Sequence, residues 1–195
     1  MTTYRFAASA RGADSRATGL PAAARCRTSL IPLALVCAFA LLHGVDQCAQ
    51  AAPLVATGST APGFDLPGVA GAVKLEDYRG KLVYLDFWAS WCAPCKRSFP
   101  WMAALQKQYG GAGLQVIAVN LDAKREDANT FLQSVPAGFT VAFDAAGATA
   151  QQYGIKGMPS SALIGRDGRV LYTHTGFNDA DKAALEAQVQ AGLKQ

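Results

Sequence analysis

The chain has 195 residues, enough for one domain with a sizeable core, and 51% of them are hydrophobic. Lysine and arginine total 18 and aspartate and glutamate total 14, but five of the basic and two of the acidic residues fall within residues 1–51. The 13 basic and 12 acidic residues that remain nearly balance, so there is no electrostatic case for nucleic-acid binding.

Residues 1–51 have the composition of a secretory signal. Five arginines lie in residues 1–28, the apolar run Leu30–Leu42 follows, and small residues lead to Ala49-Gln-Ala51. This order predicts cleavage after residue 51 and export to the periplasm. The apolar run has about 13 residues, fewer than the roughly 20 of a membrane-spanning helix, and a retained anchor is the alternative.

The rest of the chain predicts a linker over residues 52–63 and one domain over residues 64–195, in which strand and helix patterns alternate. The predicted strands are Phe64–Leu66, Ala72–Leu75, Lys81–Trp88, Leu114–Leu121, Phe139–Phe143, Ser160–Ile164 and Val170–Thr175. The predicted helices cover residues 92–109, 124–135 and 148–153, and a last helix is capped by Asn178. This order predicts an α/β fold with a central mixed β-sheet and helices on both faces.

Cleavage of the signal would leave two cysteines, Cys92 and Cys95, in the stretch W-C-A-P-C. A structural zinc site needs about four Cys or His ligands, and residues 52–195 add only His174. Haem attachment needs C-x-x-C-H, and Lys96 stands where the histidine would be. A purely structural bridge over so short a loop stabilises little. The pair is therefore predicted to be a redox couple that needs no cofactor.

The predicted position of the pair gives its two cysteines different roles. Cys92 falls at a helix N-terminus, where free N–H groups and the helix dipole favour an anion, and such sites lower a thiol pKa from about 8.5 to about 3.5–7.5. Cys92 is predicted to attack a substrate disulfide, and the more buried Cys95 to resolve the mixed disulfide. Pro94 stiffens the loop between them, and Lys96 and Arg97 add positive charge.

Asp86 lies in the middle of an apolar strand, six residues before Cys92. A buried carboxyl is costly unless its pKa rises or it is paired, so Asp86 is a candidate general base for Cys95. The alternative is a hydrogen-bonded carboxylate at the strand end. Asn120 and Asp122 are interpreted as caps of the following helix, with a place beside the site as the alternative. His174 is interpreted as an ordinary strand residue.

The stretch Tyr84–Cys95 resembles the active-site strand and loop of thioredoxin-like proteins, and Gly157-Met-Pro159 resembles their cis-proline loop. The resemblance implies a thioredoxin fold, in which Trp91, Ala93 and Pro94 form the active-site loop. It also implies that Met158 and Pro159 lie beside the disulfide, where Met158 tunes partner choice and potential.

Four further segments resemble the TlpA/ResA/CcmG branch of exported thiol–disulfide reductases: Ala61–Leu66, Asp77–Lys81, residues 114–135 and Ile164–Gly168. Over residues 58–192 the resemblance implies an N-terminal β extension and an inserted βα unit, and nothing in the sequence suggests other than a monomer. It also implies protein disulfides as substrates and a membrane thiol donor of the DsbD/CcdA kind. Many members serve cytochrome c maturation, but Ser98 stands where the branch often has Glu, and Asp86 where it often has Asn, which weakens that assignment.

Three other functions are alternatives. A disulfide oxidase or isomerase differs from a reductase only in potential, which the sequence does not fix. A peroxidase of the peroxiredoxin kind needs Pro and Thr where this chain has Leu85 and Ala89. A Cu(I) metallochaperone suits two soft thiolates, but few Met and His residues accompany them.

Overall fold

The computed structural model describes residues 54–195 and contains seven strands and four α-helices in that range. The strands are β1 (Asp65–Pro67), β2 (Ala72–Lys74), β3 (Leu82–Trp88), β4 (Leu114–Asn120), β5 (Thr140–Phe143), β6 (Ser160–Ile164) and β7 (Val170–Thr175). The helices are α1 (Ala93–Tyr109), α2 (Arg125–Ser134), α3 (Ala148–Gln152) and α4 (Asp181–Leu193). The predicted signal and its three cysteines lie outside the described residues.

The main sheet has five strands in the order β5-β4-β3-β6-β7. β3 pairs in parallel with β4 and antiparallel with β6, so the sheet is mixed. Every residue of β3 is buried, as expected for a strand that lies at the centre of the sheet and is covered on both faces. The predicted mixed sheet with helices on both faces is confirmed.

The two faces of the sheet carry separate hydrophobic cores. Side chains alternate between the faces along a strand, so Leu82, Tyr84 and Trp88 of β3 share one face and Val83, Leu85 and Phe87 share the other. The first face packs against α1, α2 and α4, and both cysteines belong to its core. The second face packs against α3 and the N-terminal strands. The period-two pattern places Asp86 on the first face, the one that α1 covers.

The N-terminal extension is a short hairpin in which β1 pairs antiparallel with β2. Its turn meets the edge strand β5 through a bridge between Gly68 and Ala142, and the Val69 N–H donates to the Val141 carbonyl at 3.2 Å. The hairpin therefore covers part of an otherwise open sheet edge. No helix within residues 54–195 is long and apolar enough to cross a membrane.

Two predicted helix caps are wrong. The last helix begins at Asp181 with Ala180 at the N-cap position, and the Asn178 side chain instead accepts from the Ala180 N–H at 2.8 Å. Helix α2 has Lys124 at its N-cap and no side-chain capping bond, so neither Asn120 nor Asp122 caps it. Asn120 and Asn178 each accept from the N–H two residues on, a local contact that looks like a cap in sequence, whereas Asp122 accepts from Ser90.

Candidate active site

The two cysteines of W-C-A-P-C form a disulfide at the start of α1. Cys92 occupies the N-cap position, and its sulfur accepts a hydrogen bond from the Cys95 N–H at 3.2 Å. Cys92 is 5% exposed and Cys95 is fully buried. A substrate sulfur can therefore reach Cys92 more readily than Cys95. This difference fits the predicted roles, in which Cys92 attacks the substrate and Cys95 resolves the mixed disulfide.

The electrostatic surroundings of Cys92 favour an anion on its sulfur. Unpaired N–H groups and the positive end of the helix dipole meet at an N-cap position. The first turn of α1 holds no acidic residue, and it includes the exposed Lys96. Ala93 is exposed and Pro94 half-buried within the same turn, where proline fits the first positions of a helix.

Asp86 is 2% exposed, and its Oδ2 atom has no hydrogen-bond partner among the described residues. Burial raises the pKa of its carboxyl well above the usual range, because the low-dielectric interior disfavours the charged form. In the sheet register Asp86 lies between Ala118 of β4 and Ser161 of β6. Asp86 shares the sheet face that α1 covers, as a proton acceptor for Cys95 would require.

The loop before β6 contains a cis peptide bond between Met158 and Pro159. Pro159 is buried, and its carbonyl accepts from the Gly176 N–H at 2.8 Å. Met158 is half-buried and packs against the core that includes both cysteines. The structure thus brings the Met158–Pro159 loop to the same core as the C-x-x-C pair, although the two are more than 60 residues apart in sequence.

The two tryptophans beside the cysteines differ in exposure. Trp88 is fully buried and packs against Phe99 and Phe131, with ring centroids 4.7 and 4.8 Å away. Trp91 is 73% exposed and immediately precedes Cys92. Trp88 therefore anchors the core below the disulfide, and Trp91 supplies apolar surface next to it.

Other residues singled out by the sequence take structural positions. Ser98, which stands where related chains often have an acid, is buried and donates to the Cys95 carbonyl at 3.0 Å. His174 lies in β7, as predicted, with its Nε2 atom 3.5 Å from Asp181 Oδ2. The Nε2 atom makes no hydrogen bond among the described residues.

The favoured interpretation of Asp122 as a helix cap is wrong, and its alternative, a place beside the site, agrees with a contact between Asp122 and the active-site loop. The Asp122 carboxylate, buried at the end of β4, accepts hydrogen bonds from the backbone N–H and the hydroxyl of Ser90. Ser90 lies two residues before Cys92. The position of Asp122 just after a buried strand indicated a carboxylate near that edge of the sheet. The sequence alone does not show which loop this carboxylate contacts.

Comparison with known proteins agrees with this geometry. The model of the Redoxin family matches residues 56–189. The chain belongs to the Redoxin family. The thiol-disulfide oxidoreductase ResA of Bacillus subtilis is 32% identical over 153 residues, which cover 77% of this chain and 83% of the relative. The ResA protein of Geobacillus thermodenitrificans is 37% identical over 123 residues, 63% of this chain and 71% of that one.

Solved structures show the same relationship. A chain from Chlorobium tepidum, assigned as thiol:disulfide interchange protein DsbE, superposes with a TM-score of 0.70 at 59% identity. The match covers 71% of this chain and 98% of that one. An exposed lipoprotein thioredoxin from Streptococcus pneumoniae gives a TM-score of 0.58 at 32% identity, covering 66% and 99%. The protein is therefore a thioredoxin-superfamily member of the ResA/CcmG type.

This Redoxin family member is a thiol–disulfide oxidoreductase whose redox group is its own disulfide. Exchange at such a pair moves two electrons and two protons between sulfur atoms of the protein and of the substrate. Residues 54–195 contain no group of three or more His, Cys, Asp or Glu side chains placed to hold a metal ion.

Proposed function

We propose that this protein works in the reducing direction, on disulfides of other exported proteins. The observation that carries the proposal is the buried Asp86 carboxyl, which lies on the sheet face whose core includes Cys95. The low-dielectric interior that raises the pKa of Asp86 also disfavours a thiolate on the fully buried Cys95, and so limits stabilisation of the reduced form. A reduced form that is less stabilised makes the couple a stronger reductant.

The proposed reaction has two exchange steps. In the first, the Cys92 thiolate attacks one sulfur of the substrate disulfide, the substrate S–S bond breaks, and the other substrate sulfur leaves as a thiolate that takes a proton from water. In the second, Asp86 takes the proton of Cys95, and the resulting thiolate attacks Cys92 sulfur. The mixed disulfide breaks, the second substrate thiolate leaves and is protonated, and the Cys92–Cys95 disulfide forms.

Substrate capture is proposed to involve the exposed Trp91 and Ala93, the half-buried Pro94, and the Met158–Pro159 loop. Trp91, Ala93 and Pro94 flank Cys92 in sequence, and Met158 packs against the core that includes Cys92. Protein substrates present an extended segment around their cysteine, which such a surface can bind.

Reuse of the protein requires a source of electrons, because each turnover leaves the pair oxidised. We propose a membrane thiol donor of the DsbD/CcdA kind and a monomeric protein exported to the periplasm after cleavage at residue 51. The support for export is the order of basic, apolar and small residues at the N-terminus, and the donor follows from the resemblance to the TlpA/ResA/CcmG branch. Cytochrome c biogenesis is a candidate pathway only through the resemblance to the TlpA/ResA/CcmG branch, and Ser98 and Asp86 weaken that assignment.

The deciding experiment is a measurement of the reduction potential of the Cys92–Cys95 couple in graded thiol buffers. A reductase is expected to have a midpoint near that of thioredoxin, about −270 mV. A midpoint between about −120 and −180 mV would instead identify an oxidase or isomerase. The Cys92→Ser variant is the control, since it retains Cys95 and removes the two-electron transition.

A further inference from the structure

A tight turn leads from β3 into Cys92. The Cys92 N–H donates to the Ala89 carbonyl at 3.1 Å, which places Ser90 and Trp91 at the two central positions of the turn. Ala89 is fully buried after β3, whereas Trp91 is 73% exposed. The conformation of Ser90 therefore determines where both Trp91 and Cys92 lie relative to the sheet.

The Asp122 carboxylate fixes Ser90 from the neighbouring strand. Its Oδ2 accepts from the Ser90 N–H at 3.0 Å and from the Asn120 side-chain amide at 2.7 Å. Its Oδ1 accepts from the Ser90 hydroxyl at 3.0 Å. All of these partners donate, so an acceptor-only carboxylate suits the position and an amide does not match it fully. Charge-assisted bonds of this kind are stronger than neutral ones.

Asp122 is itself positioned by hydrogen bonds of the backbone around it. Its N–H donates to the Asn120 side-chain oxygen at 3.1 Å, and the Leu121 N–H between them donates to the Trp88 carbonyl at 2.9 Å. Asp122 is 4% exposed and lies just beyond the parallel pair β3–β4. The buried Asp122 side chain therefore connects the end of β4 to the turn that precedes Cys92.

We propose that Asp122 is a positioning residue for thiol–disulfide exchange, which holds Trp91 and Cys92 in the arrangement that a protein disulfide meets. The inference rests on the proposed function, in which Cys92 attacks and Trp91 supplies apolar surface for the substrate. A protein substrate needs both residues correctly placed. A small disulfide needs only the Cys92 sulfur.

Asp144 provides a matched control. It lies at the end of the next strand, β5, is also 4% exposed, and accepts from three backbone N–H groups, those of Ala148, Thr149 and Ala150. These bonds cap α3 and do not touch the turn before Cys92. Truncating Asp144 therefore removes an equally buried, equally bonded carboxylate without releasing Ser90.

The experiment compares Asp122→Ala, Asp144→Ala and the parent protein on two substrates, insulin and the small aromatic disulfide of Ellman's reagent. Loss of charge-assisted hydrogen bonds from Asp122 is expected to lower kcat/KM for insulin about tenfold. The rate with the small disulfide is expected to change less than about twofold, since attack on it needs the Cys92 sulfur and not the placement of Trp91. Asp144→Ala is expected to change both rates by the same small factor.

A second readout is the pH profile of Cys92 alkylation by iodoacetamide in the reduced protein. Asp122→Ala is expected to move the midpoint to lower pH, because a neighbouring negative charge disfavours the thiolate. Asp144→Ala is expected to leave the midpoint in place. If Asp122→Ala does not fold, Ser90→Ala removes the hydroxyl donor alone and is expected to give a smaller loss on insulin, about threefold.

An unchanged ratio of insulin to small-disulfide activity in the Asp122 and Ser90 variants would overturn the positioning role. Equal losses in Asp122→Ala and Asp144→Ala would do the same, because they would indicate a general structural effect. A parent protein that reduces the small disulfide but not insulin would contradict the proposed function instead, and the alkylation midpoint would then decide the role of Asp122.

Discussion

Asp86 is a buried ionisable side chain, and its burial makes the stability of the protein depend on pH. Its folded pKa is raised by burial, and an aspartate in the unfolded chain titrates near 3.9. Between these two values the folded protein holds a proton that the unfolded chain has released. The free energy of unfolding therefore falls as pH rises above about 3.9, and it levels off above the folded pKa.

Replacement of Asp86 by asparagine removes this pH dependence. At pH 8 the oxidised Asp86→Asn variant is expected to be more stable than the parent by at least about 1 kcal/mol, since each unit of pKa shift is worth about 1.4 kcal/mol. Urea denaturation between pH 4.5 and 8 measures this. Asp77→Asn, at an exposed carboxylate, is the control and should follow the parent curve. Parallel curves for the parent and Asp86→Asn would contradict the expectation.

The division of labour between the cysteines predicts a trapped intermediate. With Cys95→Ser, attack by Cys92 proceeds but no thiol resolves the mixed disulfide, so a covalent complex with a substrate protein should accumulate. Non-reducing electrophoresis and mass spectrometry detect it, and dithiothreitol releases it. Cys92→Ser should accumulate far less, because Cys95 is fully buried. Equal amounts of trapped complex in both variants would contradict the assignment of Cys92 as the attacking cysteine and Cys95 as the resolving one.

Asp86 should also affect the resolving step. General-base catalysis contributes about 10²–10⁴-fold, so Asp86→Asn is expected to slow release of substrate from the mixed disulfide by about 10²-fold or more. The rate of formation of the mixed disulfide, which depends on Cys92, should change much less. Rapid-quench measurement of both steps with one substrate separates them. Equal slowing of both steps would indicate a general effect on the active site.

Among the secondary-structure elements, the N-terminal hairpin has a turn that leaves no room for a side chain at Gly68. A Cβ added at Gly68 would lie 2.5 Å from the Gly71 carbonyl and 2.6 Å from a Val73 methyl. Gly68→Ala is therefore expected to destabilise the protein by about 2 kcal/mol, the cost typical of overpacking. Gly63→Ala, where a Cβ meets nothing within 4 Å, is the control.

Thermal and urea unfolding measure this effect of Gly68→Ala, and the reduction potential should be unchanged. The reason is that the hairpin packs on the opposite face of the sheet from the cysteines. A changed potential would show that the hairpin and the active site are coupled. A stability equal to that of Gly63→Ala would show that the hairpin turn relaxes around the new methyl group.

The elements of the domain were predictable where hydrophobic patterning is strong. Strands β6 and β7 begin and end at the predicted residues, and β3 differs from its prediction only in beginning one residue later. The start of α4 was not predictable from Asn178, because an asparagine that accepts from a nearby N–H in a turn looks the same in sequence as an N-cap.

The site was predictable where its residues are close in sequence. Cys92, Cys95 and Asp86 occupy one strand–loop–helix segment, so their proximity follows from local structure. The bond between Ser90 and Asp122 joins residues 32 positions apart and depends on which strand lies beside β3. Spacing and periodicity carry no information about that choice, which is why a place beside the site was only the alternative interpretation of Asp122.

For the whole molecule, the direction of redox chemistry and the stability of the fold are linked. Folding and reduction form a thermodynamic cycle, so a pair that is harder to reduce in the folded protein than in the unfolded chain must stabilise the fold when it is oxidised. Each 30 mV of difference in potential corresponds to about 1.4 kcal/mol. A reductase should therefore be more stable oxidised than reduced, and an oxidase the reverse.

The proposed direction predicts that the oxidised protein unfolds at a higher urea concentration than the reduced protein. The physical source is the fully buried Cys95 and the neighbouring Asp86 carboxyl, which disfavour charge in the reduced site. Parallel urea titrations with and without dithiothreitol at pH 7 measure the difference, and Cys92→Ser, which forms no pair, should show none. In Asp86→Asn the difference should shrink, because the carboxyl no longer penalises the reduced form. A reduced protein more stable than the oxidised one would assign the molecule to disulfide formation.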